Sequence, residues 1–155
     1  MKVNRPSARK DLDTNEKASL AFDQFNRILE ELEKKELLPS LIDYINDTVQ
    51  LIDEIDGTPK DFKKQLKKHQ SKMLHTIAKK QKIVTPGYYR NLWMAVGMAG
   101  IGMPIGVAFG ASMDNMGLLG IGIPIGLAIG IAIGTSMDKK AEEEGRQIGV
   151  TIKHY

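Results

Sequence analysis

Residues 100–114 read GIGMPIGVAFGASMD, and residues 120–138 read GIGIPIGLAIGIAIGTSMD. Both segments begin with GIGxPIG and end with Ser-Met-Asp, so they form an internal repeat. The second copy has four additional residues, close to one helical turn, so its pattern stays on the same helix face. Glycine recurs at every fourth position in both copies, which indicates helices that pack closely along one face.

Each copy belongs to an uncharged stretch that is long enough to cross a bilayer. Twenty-three uncharged residues separate Arg90 from Asp114, and another 23 separate Asp114 from Asp138. About 20 helical residues suffice to span a hydrocarbon core of about 30 Å. Side chains typical of a membrane interface cluster at the first entry point: Tyr88, Tyr89, Arg90 and Trp93. The sequence therefore predicts a transmembrane helical hairpin over residues 88–138.

The glycine content separates this hairpin from the rest of the chain. Residues 92–137 contain eleven glycines and one charged side chain, whereas residues 1–91 are rich in charge and contain two glycines. In water an interior glycine costs a helix about 1 kcal/mol relative to alanine. In lipid the backbone has no other hydrogen-bond partner, and glycine lets two helices approach closely. The predicted packing positions are Gly102, Gly106, Gly110, Gly122, Gly126, Gly130 and Gly134.

The four-spaced glycines and the repeated GIGxPIG…SMD resemble those of glycine-zipper membrane proteins, which are small, mostly bacterial proteins with GxxxGxxxG transmembrane hairpins. The resemblance covers residues 92–137 and concerns a packing motif rather than one activity. It implies self-association in a membrane, so a homo-oligomer is expected. One glycine stripe per helix serves one close contact well, and the sequence leaves open whether that contact joins two arms or two protomers. The lipoprotein branch of the group has an N-terminal cysteine, which this chain lacks.

Prolines and aspartates occupy matching positions in the two copies. Pro104 and Pro124 each remove a backbone donor, which predicts a hinge; alternatively, each helix begins close to its proline. Asp114 and Asp138 end the two uncharged stretches, and in an oligomer they would form charged rings that favour cations. Polar side chains are scarce between them, which weakens the case for an aqueous pore.

The part of the chain before the hairpin predicts a flexible basic arm at residues 1–10 and a soluble helical domain at residues 11–87. Apolar side chains recur there at helical spacings of three and four residues. They are Leu20, Phe22, Phe25, Ile28, Leu29 and Leu32; then Leu41, Ile42, Ile45, Val49, Ile52 and Ile55; and finally Phe62, Leu66, Met73 and Ile77. The predicted fold class is all-α, an N-terminal three-helix cytoplasmic bundle followed by the two-helix glycine-zipper hairpin.

Start and stop signals divide this domain into its three helices. Asp13 with Glu16 forms a capping-box pattern, and Thr58 before Pro59 is a second start signal. Breaks are expected at Pro39, at Gly57 and at residues 85–87, so that the third helix ends near residue 84.

The net charge of +3 conceals two segments of opposite sign. Residues 11–56 carry 13 acidic and four basic side chains, whereas residues 58–83 carry nine lysines and one acidic residue. Helices of opposite sign could neutralise each other within one bundle; alternatively, a basic face could bind anionic lipid headgroups, with Lys79, Lys80 and Lys82 closest to the hairpin. Nucleic-acid binding is disfavoured because aromatic residues are scarce among the lysines.

The sequence contains no recognisable catalytic or cofactor motif. The absence of cysteine excludes disulfides, thiolate zinc sites and a cysteine nucleophile. The glycine pattern is GxGxxxG, which differs from the dinucleotide-binding and phosphate-binding loops. His69, His75 and His154 have no accompanying carboxylate cluster and are interpreted as solvated side chains. We therefore expect no enzyme activity, no metal and no cofactor.

Positive charges flank the hairpin on both outer sides, with Lys139, Lys140 and Arg146 in the tail at residues 139–155, whereas the connecting turn has none. By the positive-inside rule both termini lie in the cytoplasm and the hairpin crosses the inner membrane. Three functional interpretations remain open. The protein assembles into an oligomer, with or without a pore gated by the helical domain; it anchors an adaptor that binds a cytoplasmic partner; or it inserts its hairpin only when triggered, as toxins do.

Overall fold

Capping residues and prolines set the limits of three helices in the first half of the chain. The structure, a computed structural model, describes residues 2–9, 12, 14–115, 117 and 119–153; the predicted cap Asp13 and also His154 lie outside them. Helix α1 spans Glu16–Glu33, α2 spans Pro39–Asp53 and α3 spans Pro59–Gln81. Asn15 caps α1, because its side chain accepts a hydrogen bond from the Ala18 amide at 3.1 Å. Thr58 caps α3 and Pro59 is its first residue, as predicted.

The apolar stripes of these helices share one hydrophobic core. Fully buried side chains include Phe25 and Leu29 from α1, Ile45 from α2, and Phe62 and Leu66 from α3. Helix α3 contacts both α1 and α2. The periodicity of the sequence therefore identified the buried faces, since large apolar side chains at helical spacing gain most from burial together.

The first residues of the chain pack on this core, whereas the sequence predicted a flexible arm. Val3 is buried, and the Arg5 guanidinium forms ion pairs at 2.8 Å with Glu30 and with Glu33 of α1. The Arg9 guanidinium lies 4.4 Å from the centre of the Phe62 ring, a cation–π contact. A basic composition alone suggested solvation, but the carboxylates of α1 and the Phe62 ring of α3 supply partners for these cations.

The chain divides into two compact units, and the first of them is built from two separate stretches of sequence. Met1–Thr85 and Ile148–Tyr155 form this first unit, and Pro86–Gln147 form the hairpin unit. Ile148 is buried in the core of the first unit, and its amide donates to the Val84 carbonyl at 2.9 Å. The sequence predicted one tail over residues 139–155, whereas the structure assigns residues 148–153 to the first unit.

Two further contacts hold this returning segment on α1. The Gly149 amide donates to the Glu31 carboxylate at 2.9 Å, and the Lys153 amide donates to the Gln24 side chain at 2.8 Å. Gln24 is itself buried, so this bond satisfies a polar group within the core.

The hairpin unit consists of two helical arms. The first arm contains α4 at Tyr88–Val96, a π-helical segment at Gly97–Gly102, and α5 at Met103–Ser112. The second arm is α6 at Leu119–Glu143, which contacts all three parts of the first arm. All regular elements within the described residues are helices, and both arms are long and apolar enough to cross a membrane.

Candidate functional site at the glycine seam

The four-spaced glycines of α6 face the backbone of the first arm. Gly122, Gly126, Gly130 and Gly134 are buried, although most of the large side chains around them are exposed. A Cβ atom added at any of the four would lie under 3.0 Å from a backbone atom of the first arm. We call this line of contact the glycine seam. Only hydrogen fits between the two backbones there, so the seam depends on glycine at each position.

The first arm contributes Gly97, Gly102 and Gly106 to the seam, with Gly110 buried further towards the turn. Gly97 is not among the predicted packing residues, because it lies five rather than four residues before Gly102. The π-helical segment accounts for this spacing, since a π turn contains one residue more than an α turn. A regular α-helix would place Met98 in the seam instead, where its side chain could not fit.

Pro104 follows the π-helical segment by two residues, at the start of α5. Proline has no amide hydrogen, and in a regular α-helix its ring would clash with the carbonyl four residues earlier. The Met103 amide instead donates to the Met98 carbonyl, a bond across five residues. The π-helical segment before the predicted hinge residue Pro104 therefore fixes which glycines of the first arm enter the seam. Pro124 lies within α6, which continues through it.

The two copies of GIGxPIG pack against each other in the middle of the seam. A Cβ on Gly102 would lie 2.8 Å from the Gly122 carbonyl oxygen, and one on Gly122 would clash with the Gly102 carbonyl oxygen in return. Gly126 approaches Gly102, while Gly122 approaches Gly106. Each copy thus presents its third and seventh residues to the other, in the reciprocal arrangement of an antiparallel repeat.

Asp138 closes the open end of the hairpin. Its carboxylate accepts hydrogen bonds from the Tyr89 amide at 3.0 Å and from the Arg90 amide at 2.9 Å. These are first-turn amides of α4, which begins after Gly87 and has no side-chain cap of its own. The carboxylate also lies at the positive end of the α4 dipole. Asp138 is 9% exposed, so this role differs from the solvated charged ring expected from the sequence.

The remaining predicted positions lie at the two ends of the hairpin. Asp114 is exposed in the turn, where the Asn115 amide donates to the Gly110 carbonyl at 3.0 Å. At the open end the rings of Tyr88 and Tyr89 meet edge to face, with centroids 5.2 Å apart. Those tyrosines are partly buried, as is Trp93, while Arg90 is exposed.

The outer surface of both arms is apolar and exposed. The most apolar stretches of the two arms each have a mean hydropathy of 1.7, yet only 17% of the first stretch and 22% of the second are buried. Large exposed side chains include Val96, Met103, Val107, Phe109, Ile121, Ile129 and Ile131. The Ser112 hydroxyl donates to the Ala108 carbonyl at 2.7 Å, so this polar group is satisfied within its own helix.

No protein-family model, curated protein or solved structure matches this chain. Within the described residues no three histidine, aspartate or glutamate side chains converge as they would around a metal ion. The function is therefore inferred from the seam, the Asp138 cap and the apolar outer surface.

We expect Asp138→Ala to weaken the open end of the hairpin selectively. The change removes two hydrogen bonds to a charged acceptor, each worth about 1.5–3 kcal/mol, and leaves two amides without their partner. The predicted result is earlier exchange of the Tyr89 and Arg90 amides with deuterium in detergent. Asp114→Asn removes an exposed charge from the turn and serves as the control, because Asp114 has a positive φ of 48°, a conformation that asparagine also adopts readily. Equal effects of the two changes would contradict a capping role for Asp138.

Proposed function

We propose that this protein is a two-pass membrane protein whose glycine-packed hairpin anchors a helical domain at the cytoplasmic face of a membrane. The helical domain is a three-helix bundle built on α1, α2 and α3, and it acts as an adaptor that a cytoplasmic partner binds. The observation that carries the proposal is the outer surface of the hairpin, which is apolar and exposed along both arms.

Water is an unfavourable solvent for such a surface. Val107 and Ile121 are each 51% exposed, and similar side chains follow along both helices. Each large aliphatic side chain gains about 1.5–3 kcal/mol when it leaves water. A core helix of a water-soluble protein would be mostly buried, whereas these arms bury chiefly their glycines. A hydrocarbon environment supplies the missing burial without any further protein contact.

The path of the chain supports a topology in which both termini lie on the same side of the membrane. The chain leaves the first unit after Thr85 and returns to it at Ile148, whose amide donates to the Val84 carbonyl. The two ends of the hairpin sequence are therefore fixed to one domain, as a two-pass topology requires. The lysines near the end of α6, Lys139 and Lys140, and those at the end of α3 favour the cytoplasm as that side.

The position of the glycines favours an anchor over a glycine-packed oligomer. The stripes of both arms already meet each other within one chain, so neither is free for a neighbouring protomer. The faces left for such a contact carry large apolar side chains, which lipid tails also accommodate. Backbone contact along the seam leaves no lumen within the hairpin, and no observation on the described residues favours a pore.

Single-cysteine labelling tests this topology, and the chain has no cysteine to remove first. Asn115→Cys places a thiol in the exposed turn, and Ser40→Cys places one at the exposed start of α2. We expect a membrane-impermeant maleimide to label Asn115→Cys in intact cells and Ser40→Cys only after lysis. Both variants should remain in the membrane pellet after carbonate extraction.

Two outcomes would overturn the proposal. Release of the protein by carbonate would show that the hairpin is not inserted. Labelling of both thiols to the same extent in intact cells would show that the turn and the helical domain are not separated by the bilayer.

A further inference from the structure

Five lysines form a continuous face on α3, opposite its buried side. Lys60, Lys64, Lys68, Lys72 and Lys79 fall within about 120° around the helix axis at 100° per residue, and all five are exposed. We call this set the lysine face. The buried side chains Phe62, Leu66, Met73 and Ile77 lie on the other side of the helix. The one carboxylate of α3, Asp61, is hydrogen-bonded at 2.6 Å to the Thr58 hydroxyl.

The acidic helices do not neutralise this face. Glu30 and Glu33 of α1 pair with Arg5, and Glu31 pairs with Lys34. In the part of the chain that the structure describes, none of the five lysines forms an ion pair with a carboxylate within 4.0 Å. The sequence left two interpretations of the lysines open, and this geometry favours the one in which their charge is directed outward.

Lys63 and Lys67 lie beside this face on α3, so further positive charge borders it. Burial together with the nearby Lys63 ammonium lowers the pKa of Lys67 below its ordinary value. Crowded cations of this kind gain from an anionic surface, because such a surface relieves their mutual repulsion while each retains its hydration.

The short connection between α3 and the hairpin determines which anionic surface α3 can reach. Helix α3 ends at Gln81 and the first arm begins at Tyr88, so six residues separate them. Six residues extend over at most about 20 Å. A bilayer that holds the hairpin is therefore within reach of the C-terminal end of α3, at high effective concentration.

We infer that the lysine face of α3 binds the anionic headgroups of the bilayer in which the hairpin is embedded. The inference rests on the proposed function, since it requires the hairpin to be inserted. The partner of the five lysines is then a phospholipid with net negative charge. The sequence predicted this contact only at the end of α3, and the inference extends it along the whole helix. Bound in this way, α3 leaves the faces of α1 and α2 for a cytoplasmic partner.

Amine footprinting on the full chain tests this contact. The protein is reconstituted into vesicles of phosphatidylcholine and phosphatidylglycerol in a two-to-one ratio, and separately into pure phosphatidylcholine. Acetylation of each lysine is then followed by mass spectrometry. We expect the lysine face to react about fivefold more slowly in the anionic vesicles, as follows from the typical attraction of one lysine to an anionic surface. Lys17, exposed on α1, should react equally in both.

A charge-reduced variant and salt supply the controls. Lys64→Gln combined with Lys68→Gln should restore the reactivity of Lys60 and Lys72 in anionic vesicles, whereas Lys17→Gln should not. Raising NaCl to about 1 M shortens the screening length to about 3 Å and should abolish the difference between the two vesicles.

Equal reactivity of the lysine face in both vesicles would overturn the inference. So would equal slowing at Lys17, or protection that appears only when RNA or an acidic protein is added. Labelling of Asn115→Cys in the same vesicles shows whether the proposed function or only the lipid contact is wrong. An uninserted hairpin would overturn the proposed function as well, whereas an inserted hairpin with unprotected lysines would overturn the lipid contact alone.

Discussion

Replacement of Gly126 by alanine will separate the two arms of the hairpin. A Cβ at this position would lie 2.5 Å from the Gly102 nitrogen and 2.6 Å from the Gly102 Cα, and it would also clash with the Gly97 carbonyl oxygen. All three are backbone atoms, so no side-chain rotation relieves the clash and the helices must move apart. Overpacking of this kind costs about 1–3 kcal/mol, and more where backbone must shift. The backbone contacts at Gly122 and Gly130 should lengthen as the two helices move apart.

The single tryptophan of the chain reports this change. Trp93 lies in the first arm, and its carbonyl contacts Gly130, so its fluorescence follows separation of the arms during titration of dodecylmaltoside micelles with SDS. Gly126→Ala should lower the SDS fraction at the midpoint. Gly120→Ala is the matched control, since Gly120 lies on the same helix with nothing within 4 Å of an added Cβ. Identical midpoints for both variants would refute the packing described for the seam.

Replacement of Ile148 by alanine will destabilise the first unit. Ile148 has this effect although it lies 63 residues beyond Thr85, where the first stretch of that unit ends. Ile148 is 1% exposed and packs in the same core as the helices. Loss of a fully buried isoleucine side chain costs about 2–5 kcal/mol, which includes the cavity that remains. We expect the most protected amides of α1 and α3 to exchange about 30-fold to several thousandfold faster.

Hydrogen exchange of the full chain in detergent measures this effect residue by residue. Thr151→Ala is the matched control from the same segment, because Thr151 is exposed and surface changes usually stay within about 0.5 kcal/mol. Exchange confined to residues 148–153, without an effect on α1 and α3, would contradict a role for the segment in the core.

Features that repeat with the period of a single helix were predictable from the sequence. Seven four-spaced glycines and two uncharged stretches of 23 residues indicated two apolar helices, and both helices are present. The apolar stripes of α1, α2 and α3 likewise identified buried side chains. Periodicity succeeds in these cases because each element buries one face and repeats every three or four residues.

The missed features depend on contacts that no local period encodes. Gly97 enters the seam only because the helix gains a residue before Pro104, and an α-helical period assigns it to another face. Asp138 caps a helix that starts 50 residues earlier, and the only local signal was that Gly87, which precedes the first residue of α4, has no side chain to cap it. Ile148 lies in a segment of six residues, too short for a helical period, and its burial follows from the return of the chain to the first unit.

The return of residues 148–153 has a consequence for the order of events during synthesis. Chains emerge from the ribosome N-terminus first, so α1, α2 and α3 are complete before either arm of the hairpin exists. Their core nevertheless lacks Ile148 until both arms have been made and the chain has returned to the first unit. Completion of the helical domain is therefore a late step, because it follows synthesis of the whole hairpin.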